Sequence, residues 1–233
     1  MRTTSPIISN LTVVCFLWKG WRPLYDFSRV NILKNMLETH LKIPHRLICV
    51  TDTPENIECE TMPLWDEPFV RTQEGAPNCY RRLALFKRDA GLTFGERILS
   101  IDLDCVMFDD ITPLITDHDF RIVEGYNTPY NGSMFMIKSG AHPEIFESFD
   151  PKKSPIAAKS QGFLGSDQAW FSYRLPRAKT WNHNDGVQLF LELRLKIRPM
   201  QSKIMFFPGL IKPWDERMMK EYPVIFNQYK RFA

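Results

Sequence analysis

Asp102-Leu103-Asp104 directly follows the apolar run Arg97-Ile98-Leu99-Ser100-Ile101. In an extended chain alternate side chains share a face, so the two carboxylates point the same way while Leu103 points into the core. Two such charges repel each other unless something positive lies between them. Mg²⁺ or Mn²⁺ suits these hard oxygen ligands and also binds diphosphate oxygens. A cation held there would stabilise charge on a departing diphosphate. The pattern has two competing readings: a plain turn or cap at a strand end, and a phosphohydrolase whose first aspartate is a nucleophile.

The surrounding pattern puts the pair at the edge of a sheet. Leu11 to Trp18 reads as a buried strand, Tyr25 to Leu41 as a helix with Val30, Leu33, Leu37 and Leu41 on one stripe, and Arg46 to Thr51 as a second strand. Asp26 or Ser28 can cap the helix. This order implies a parallel crossover. A Pro-rich stretch from Pro63 to Pro77 reads as irregular, and Tyr80 to Ala90 as a helix. Further strands are expected at Arg97–Ile101, Phe120–Val123, Ser133–Ile137 and Lys203–Phe207, with helices at Pro143–Phe149 and Gly165–Leu175. Val187 to Ile197 alternates strictly and reads as a strand. The expected architecture is α/β, one domain over residues 1–233 with a mixed, mainly parallel sheet. Ligands of open α/β sheets gather at the carboxyl ends of the strands, where Asp102 and Asp104 fall.

Composition narrows the partners. The chain has 30 basic and 27 acidic residues, a net +3, which is weak for a dedicated nucleic-acid binder and compatible with a phosphate-bearing substrate. Of five cysteines, Cys15, Cys49 and Cys105 sit in apolar runs as small buried hydrophobes; neither a disulfide framework nor a zinc site is expected. No apolar run is long enough to span a membrane, and the expected location is the cytoplasm.

Five segments together resemble one family: Tyr80-Arg81-Arg82-Leu83, Asp102-Leu103-Asp104, Tyr130-Asn131-Gly132-Ser133, Gly165-Ser166-Asp167-Gln168-Ala169-Trp170 and Gly209-Leu210-Ile211-Lys212-Pro213-Trp214. In order and spacing the chain resembles the GT-A-fold glycosyltransferases of the retaining, family 8-like group, from the first strand to about Trp214. In the haloacid-dehalogenase-like phosphohydrolases, by contrast, the D-x-D pattern lies near the chain start and precedes Gly-Thr, whereas here Cys105-Val106 follow. The glycosyltransferase resemblance implies transfer of a hexose from a nucleotide-diphosphate sugar, UDP-linked, with retention. Trp18, the first strand and Asp52 would line base and ribose. Arg82 would reach the sugar or diphosphate, and Asp102 and Asp104 would ligate Mn²⁺ or Mg²⁺. Asn131 would sit beside the donor sugar, Asp167 would bind its hydroxyls, and Gln168 would lie near the anomeric carbon. Gly209, Lys212 and Trp214 would border the diphosphate, with Lys212 pairing it as it leaves. The acceptor is left open between a glycan, a lipid-linked sugar, a protein and a modified nucleic-acid base.

The family's histidine ligand just before the glycine of G-x-x-K-P-W is absent; Phe206-Phe207-Pro208 stand there. Either the aspartates, diphosphate and water suffice, or another group such as His183 substitutes, or metal dependence is weakened. A non-catalytic nucleotide-sugar binding protein is then a third reading. Each residue also has a plain alternative. Arg81 and Arg82 can be a solvated helix face, Lys212 a surface lysine, Asp167 a helix cap and Gln168 an ordinary helix residue. Trp18, Trp21 and Tyr25 can stack on a ligand or simply pack.

Overall fold

The computed structural model describes residues 11–19, 24–65 and 78–233. In chain order the strands are β1 (Leu11–Leu17), β2 (His45–Thr51), β3 (Glu60–Pro63), β4 (Arg97–Ile101), β5 (Cys105–Met107), β6 (Phe120–Glu124), β7 (Tyr130–Lys138), β8 (Lys179–Trp181), β9 (Val187–Leu189) and β10 (Ile204–Phe206). The helices are α1 (Phe27–His40), α2 (Ala90–Phe94), α3 (Glu144–Glu147), α4 (Ser154–Ser160), α5 (Asp167–Arg174), α6 (Phe190–Arg194), α7 (Glu216–Glu221) and α8 (Pro223–Lys230). Asp26 starts α1 by accepting from the Ser28 amide at 2.9 Å, which satisfies one of the free donors of the first turn. The stripe Val30, Leu33, Leu37 and Leu41 is buried.

Seven strands form one sheet in the order β3-β2-β1-β4-β7-β6-β8, and β5-β10-β9 form a second. β1 pairs parallel with both β2 and β4, so the chain leaves β1 toward one edge and returns to its other flank. Such a reversal opens a crevice at the carboxyl ends of the two strands. Asp102 to Asp104 bridge from β4 to β5, and so from the large sheet to the small one. The Asp102 amide donates to the Ser133 carbonyl at 2.8 Å, and the Phe207 amide donates to the Asp104 carbonyl at 2.9 Å. Tied at both ends, the bridge buries Leu103 and turns both carboxylates to the crevice. Behind it, Phe86, Phe120, Phe135 and Phe171 pack ring against ring at 5.3–6.0 Å. These tilted and edge contacts make a stiff backing for the segment that carries Arg82.

Two elements differ from the sequence reading. Tyr80 to Ala90 is not one α-helix: Cys79–Phe86 is a 3-10 helix capped by Asn78, and α2 starts only at Ala90. Every residue from Tyr80 to Phe86 is buried, so this segment packs on all sides rather than along one stripe. Val187 to Ile197 is not one strand. Its partner β10 is three residues long, so pairing ends at Leu189↔Phe206. Glu192 then accepts from the Leu189 amide at 3.0 Å and α6 begins. Leu195, on the alternating face, ends up 49% exposed. The strands β3, β5 and β8 and the helices α4, α7 and α8 add to what periodicity indicated. Trp21 and residues 66–77 of the Pro-rich stretch lie outside the described residues. Among the described residues no helix is long and apolar enough to cross a membrane.

Candidate functional site

A cavity of about 410 Å³ opens at the carboxyl ends of β1 and β4. That volume falls within the range typical of small-molecule sites. Its apolar wall comes from Phe16, Leu17, Trp18, Leu24, Leu103 and Leu210, and its polar groups are Tyr25, Cys79, Arg82, Asp102 and Asp104.

The polar groups form one charge network. Arg82 reaches from the 3-10 helix and donates through Nη1 to Asp102 Oδ1 at 2.8 Å and to the Gly132 carbonyl at 2.5 Å. Its Nε lies 2.7 Å from Asp167 Oδ2, a charge contact poorly angled for a hydrogen bond. Lys212 Nζ donates to Asp104 Oδ2 and, at 3.0 Å, to the Phe207 carbonyl. Tyr25 donates its hydroxyl to the same Asp104 oxygen at 2.9 Å. Lys212 gets there because the chain turns back after β10 at Gly209, whose φ of 94° suits only glycine without strain. Asp104, Lys212, Arg82 and Asp167 are all buried, whereas the Asp102 side chain keeps 37% of its surface open.

Among the described residues three carboxylates thus face two cations in this cluster. The Asp102 carboxyl responds: desolvation pushes it up to about 7 against the pull of Arg82, with Asp104 and Asp167 adding to the rise. Burial and the Asp104 charge hold the Tyr25 hydroxyl far above its ordinary value, so it stays a neutral donor. Burial pushes the Cys79 thiol up to about 12, which leaves it a wall group rather than a nucleophile.

The other expected residues fall into two groups. Trp18 lines the cavity, and Asp52, outside its wall, accepts from the amide of the next residue, Lys19, at 3.0 Å. Asn131, Asp167 and Gln168 stand one layer behind. Asn131 accepts from the Ser133 amide at 3.0 Å, and Gln168 Oε1 accepts from the Gly132 amide at 3.2 Å. Asp167 is 1% exposed; besides Arg82 it holds the Gln168 amide at 2.9 Å through Oδ1. It opens α5 but Ser166 occupies the cap position, so it is no plain N-cap. Trp214 packs against Tyr25 and Tyr229 under the Arg29 guanidinium, outside the cavity wall. Tyr25 is the group whose role the sequence did not reveal: it sits 79 positions from its partner Asp104.

The donor set suits a hard divalent cation: two carboxylates share a cavity. Among the described residues no group of three His, Cys, Asp or Glu side chains is placed to hold a metal ion. His183 faces a different cavity, with Asn182 and Glu192.

Gly132 is fixed by close approach. A Cβ there would lie 2.7 Å from Arg82 Nη2. Gly132→Ala is therefore expected to push the guanidinium off Asp102 and to cost about 1–3 kcal/mol of stability. Urea unfolding checks this; an unchanged midpoint would show that the guanidinium can shift without loss.

No family model matches the chain, and no curated protein matches it in sequence. Solved structures do match in shape. The galactosyltransferase LgtC, solved with donor and acceptor sugar analogues, superposes with a TM-score of 0.62 at 12% identity, over 94% of this chain and 95% of LgtC. The glycosyltransferase GlyE of Streptococcus pneumoniae TIGR4 gives a TM-score of 0.59 at 10% identity, covering 94% of this chain and 60% of GlyE. The chain therefore has the mixed α/β GT-A fold of these glycosyltransferases.

Proposed function

We propose that this chain is a glycosyltransferase that moves a hexose from a nucleotide-diphosphate sugar, with UDP as the expected carrier, onto an acceptor hydroxyl with retention. One observation carries the reading: Arg82, Asp102 and Asp104 line an apolar-walled cavity at the β1/β4 reversal, with Lys212 paired to Asp104 at the edge of the cluster. The base and ribose would lie against Phe16 and Trp18, with Asp52 at the rim. The diphosphate would lie over Arg82, Asp102 and Lys212.

Most of the work then falls to the chain's own side chains. As the bond from the anomeric carbon to the phosphate oxygen breaks, negative charge grows on the diphosphate. The Lys212 ammonium and Arg82 guanidinium are preset to stabilise it. Asp167, Gln168 and Asn131 act from behind by fixing Arg82 and the Gly132 backbone. The acceptor oxygen bonds to the anomeric carbon on the leaving-group face, and its proton passes to the departing diphosphate oxygen. A bound Mn²⁺ or Mg²⁺ held by Asp102 and Asp104 would add Lewis-acid polarisation of the diphosphate.

A thermal-shift screen of nucleotide sugars with and without Mn²⁺ tests the reading. At 100 times Kd a ligand adds about 2.7 kcal/mol of native-state stability. For a chain of this size that is a rise of roughly 5–10 °C. The hit should slowly release free nucleoside diphosphate, as water replaces the acceptor. Phosphate release from simple monoesters would mark a hydrolase instead, and binding without turnover a binding protein.

A further inference from the structure

We infer that a second site lies at the opposite edge of the large sheet, a basic cavity that takes a small phosphate monoester. β4 runs antiparallel to β7, and β7 antiparallel to β6, so β6 points the same way as β4. β8 pairs parallel with β6. The first cavity lies where β1 and β4 end; this one, of about 390 Å³, lies where β6 and β8 begin. The two have no lining residue in common.

Arg174, Arg177 and Lys179 line it with His118 and His142, and Asp119 is the one carboxylate among the described lining residues. Among the described residues none of the three fixed cations has a carboxylate partner; Arg174 leans on the Trp170 ring at 5.5 Å. Other exposed arginines of the chain are paired: Arg46 with Glu60, Arg88 with Glu147 and Arg217 with Glu221. Like charges gathered on a concave wall focus their field and draw an anion in. The backbone around the cavity is fixed in advance. Tyr130 donates its hydroxyl to the Leu175 carbonyl at 2.6 Å and accepts from the Ala178 amide at 3.0 Å, which pins the loop that carries the cations. Nearby carbonyls that would repel an anion are taken. Arg97 holds those of Asp117 and His118, and the Lys138 amide holds that of Asp119. Phe120 and Glu144 hold the His142 ring.

Three cations suit a dianion with three terminal oxygens better than a carboxylate with two oxygens and one charge. Guanidinium forks also match phosphate oxygens in pairs. The volume admits more than the phosphate itself, and Leu175, Pro176 and Ala178 give the remainder an uncharged wall. A free ester and a phosphate carried on a glycan offer the same chemistry to these groups.

The probe is glycerol phosphate, followed by its phosphorus resonance as the full chain is added. Saturable binding is expected, and it should weaken as salt is raised. Arg177→Gln and Lys179→Gln each remove an exposed charge without breaking an ion pair, so both should keep the parent's urea midpoint. Each should weaken the ester about 10-fold, the worth of one charge-assisted hydrogen bond. A phosphorylated oligosaccharide should bind through the same groups, and whichever ester binds tighter identifies the source. Absence of saturable binding overturns the proposal, as does affinity unchanged in both variants. So does displacement by UDP-glucose, which has no terminal phosphate and would place the ester in the first cavity. Tighter binding of a single-stranded DNA oligonucleotide also overturns it, making this face a nucleic-acid surface. None of these measurements involves sugar transfer, so the outcome is independent of the function proposed above.

Discussion

Asp104→Asn is expected to reduce sugar transfer by about 10²–10³-fold and to destabilise the fold at the same time. The catalytic loss follows from the proposed role of Asp104 beside the leaving group, where single electrostatic contacts are worth about 10²–10³. The stability loss has a separate cause. Asp104 and Lys212 are both buried, with side chains 6% and 5% exposed. Breaking a buried pair by removing one partner strands the other charge and typically costs about 3–5 kcal/mol. The asparagine oxygen still accepts from Lys212 and Tyr25, so the lower end of that range applies; Asp104→Ala should lie at the upper end. Adding Lys212→Met to Asp104→Asn removes the stranded ammonium. The double variant should then recover most of the urea midpoint while staying inactive. Urea unfolding and nucleoside-diphosphate release measure the two effects independently. Full activity of Asp104→Asn with the native donor would remove this residue from the mechanism.

The position of this pair was legible in the sequence because it depends on short-range rules. The pair directly follows the buried run Arg97–Ile101, which fixes it at the carboxyl end of β4. Residues 102–104 themselves bend rather than continue the strand, so their common cavity comes from the bridge to β5 and not from strand period. α1 was legible for the same reason: its cap and stripe are local. The partners of the pair are not local. Lys212 lies 108 positions from Asp104, and only the reversal after β10 at Gly209 brings it back. Arg82 and Asp167 likewise meet only because α5 packs on both β7 and the 3-10 helix. Periodicity also failed where a pattern outlasted its partner. Leu191, Leu193 and Leu195 alternate like a strand, but β10 offers nothing to pair with beyond Phe206. Resemblance supplied Asn131, Asp167 and Gln168 as site residues; the geometry places them behind the cavity rather than in its wall.

That placement makes Arg82 the second decisive position. Its guanidinium serves three partners at once, donating to Asp102 and the Gly132 carbonyl and lying in charge contact with Asp167. Arg82→Met would leave Asp167, 1% exposed, without its counter-charge and Asp102 without its clamp. The expected cost is again about 3–5 kcal/mol of stability, together with loss of measurable UDP binding. Arg82→Lys should recover only part of either. An ammonium is a compact point charge and cannot span two carboxylates in the fixed fork that guanidinium provides. Pairing Arg82→Met with Asp167→Leu separates structure from ligand. If Arg82 holds the fold through Asp167 and the nucleotide beside Asp102, the double variant regains its urea midpoint but not its affinity for UDP. Recovery of both would mean that Arg82 only balances a buried charge and takes no part in holding the nucleotide.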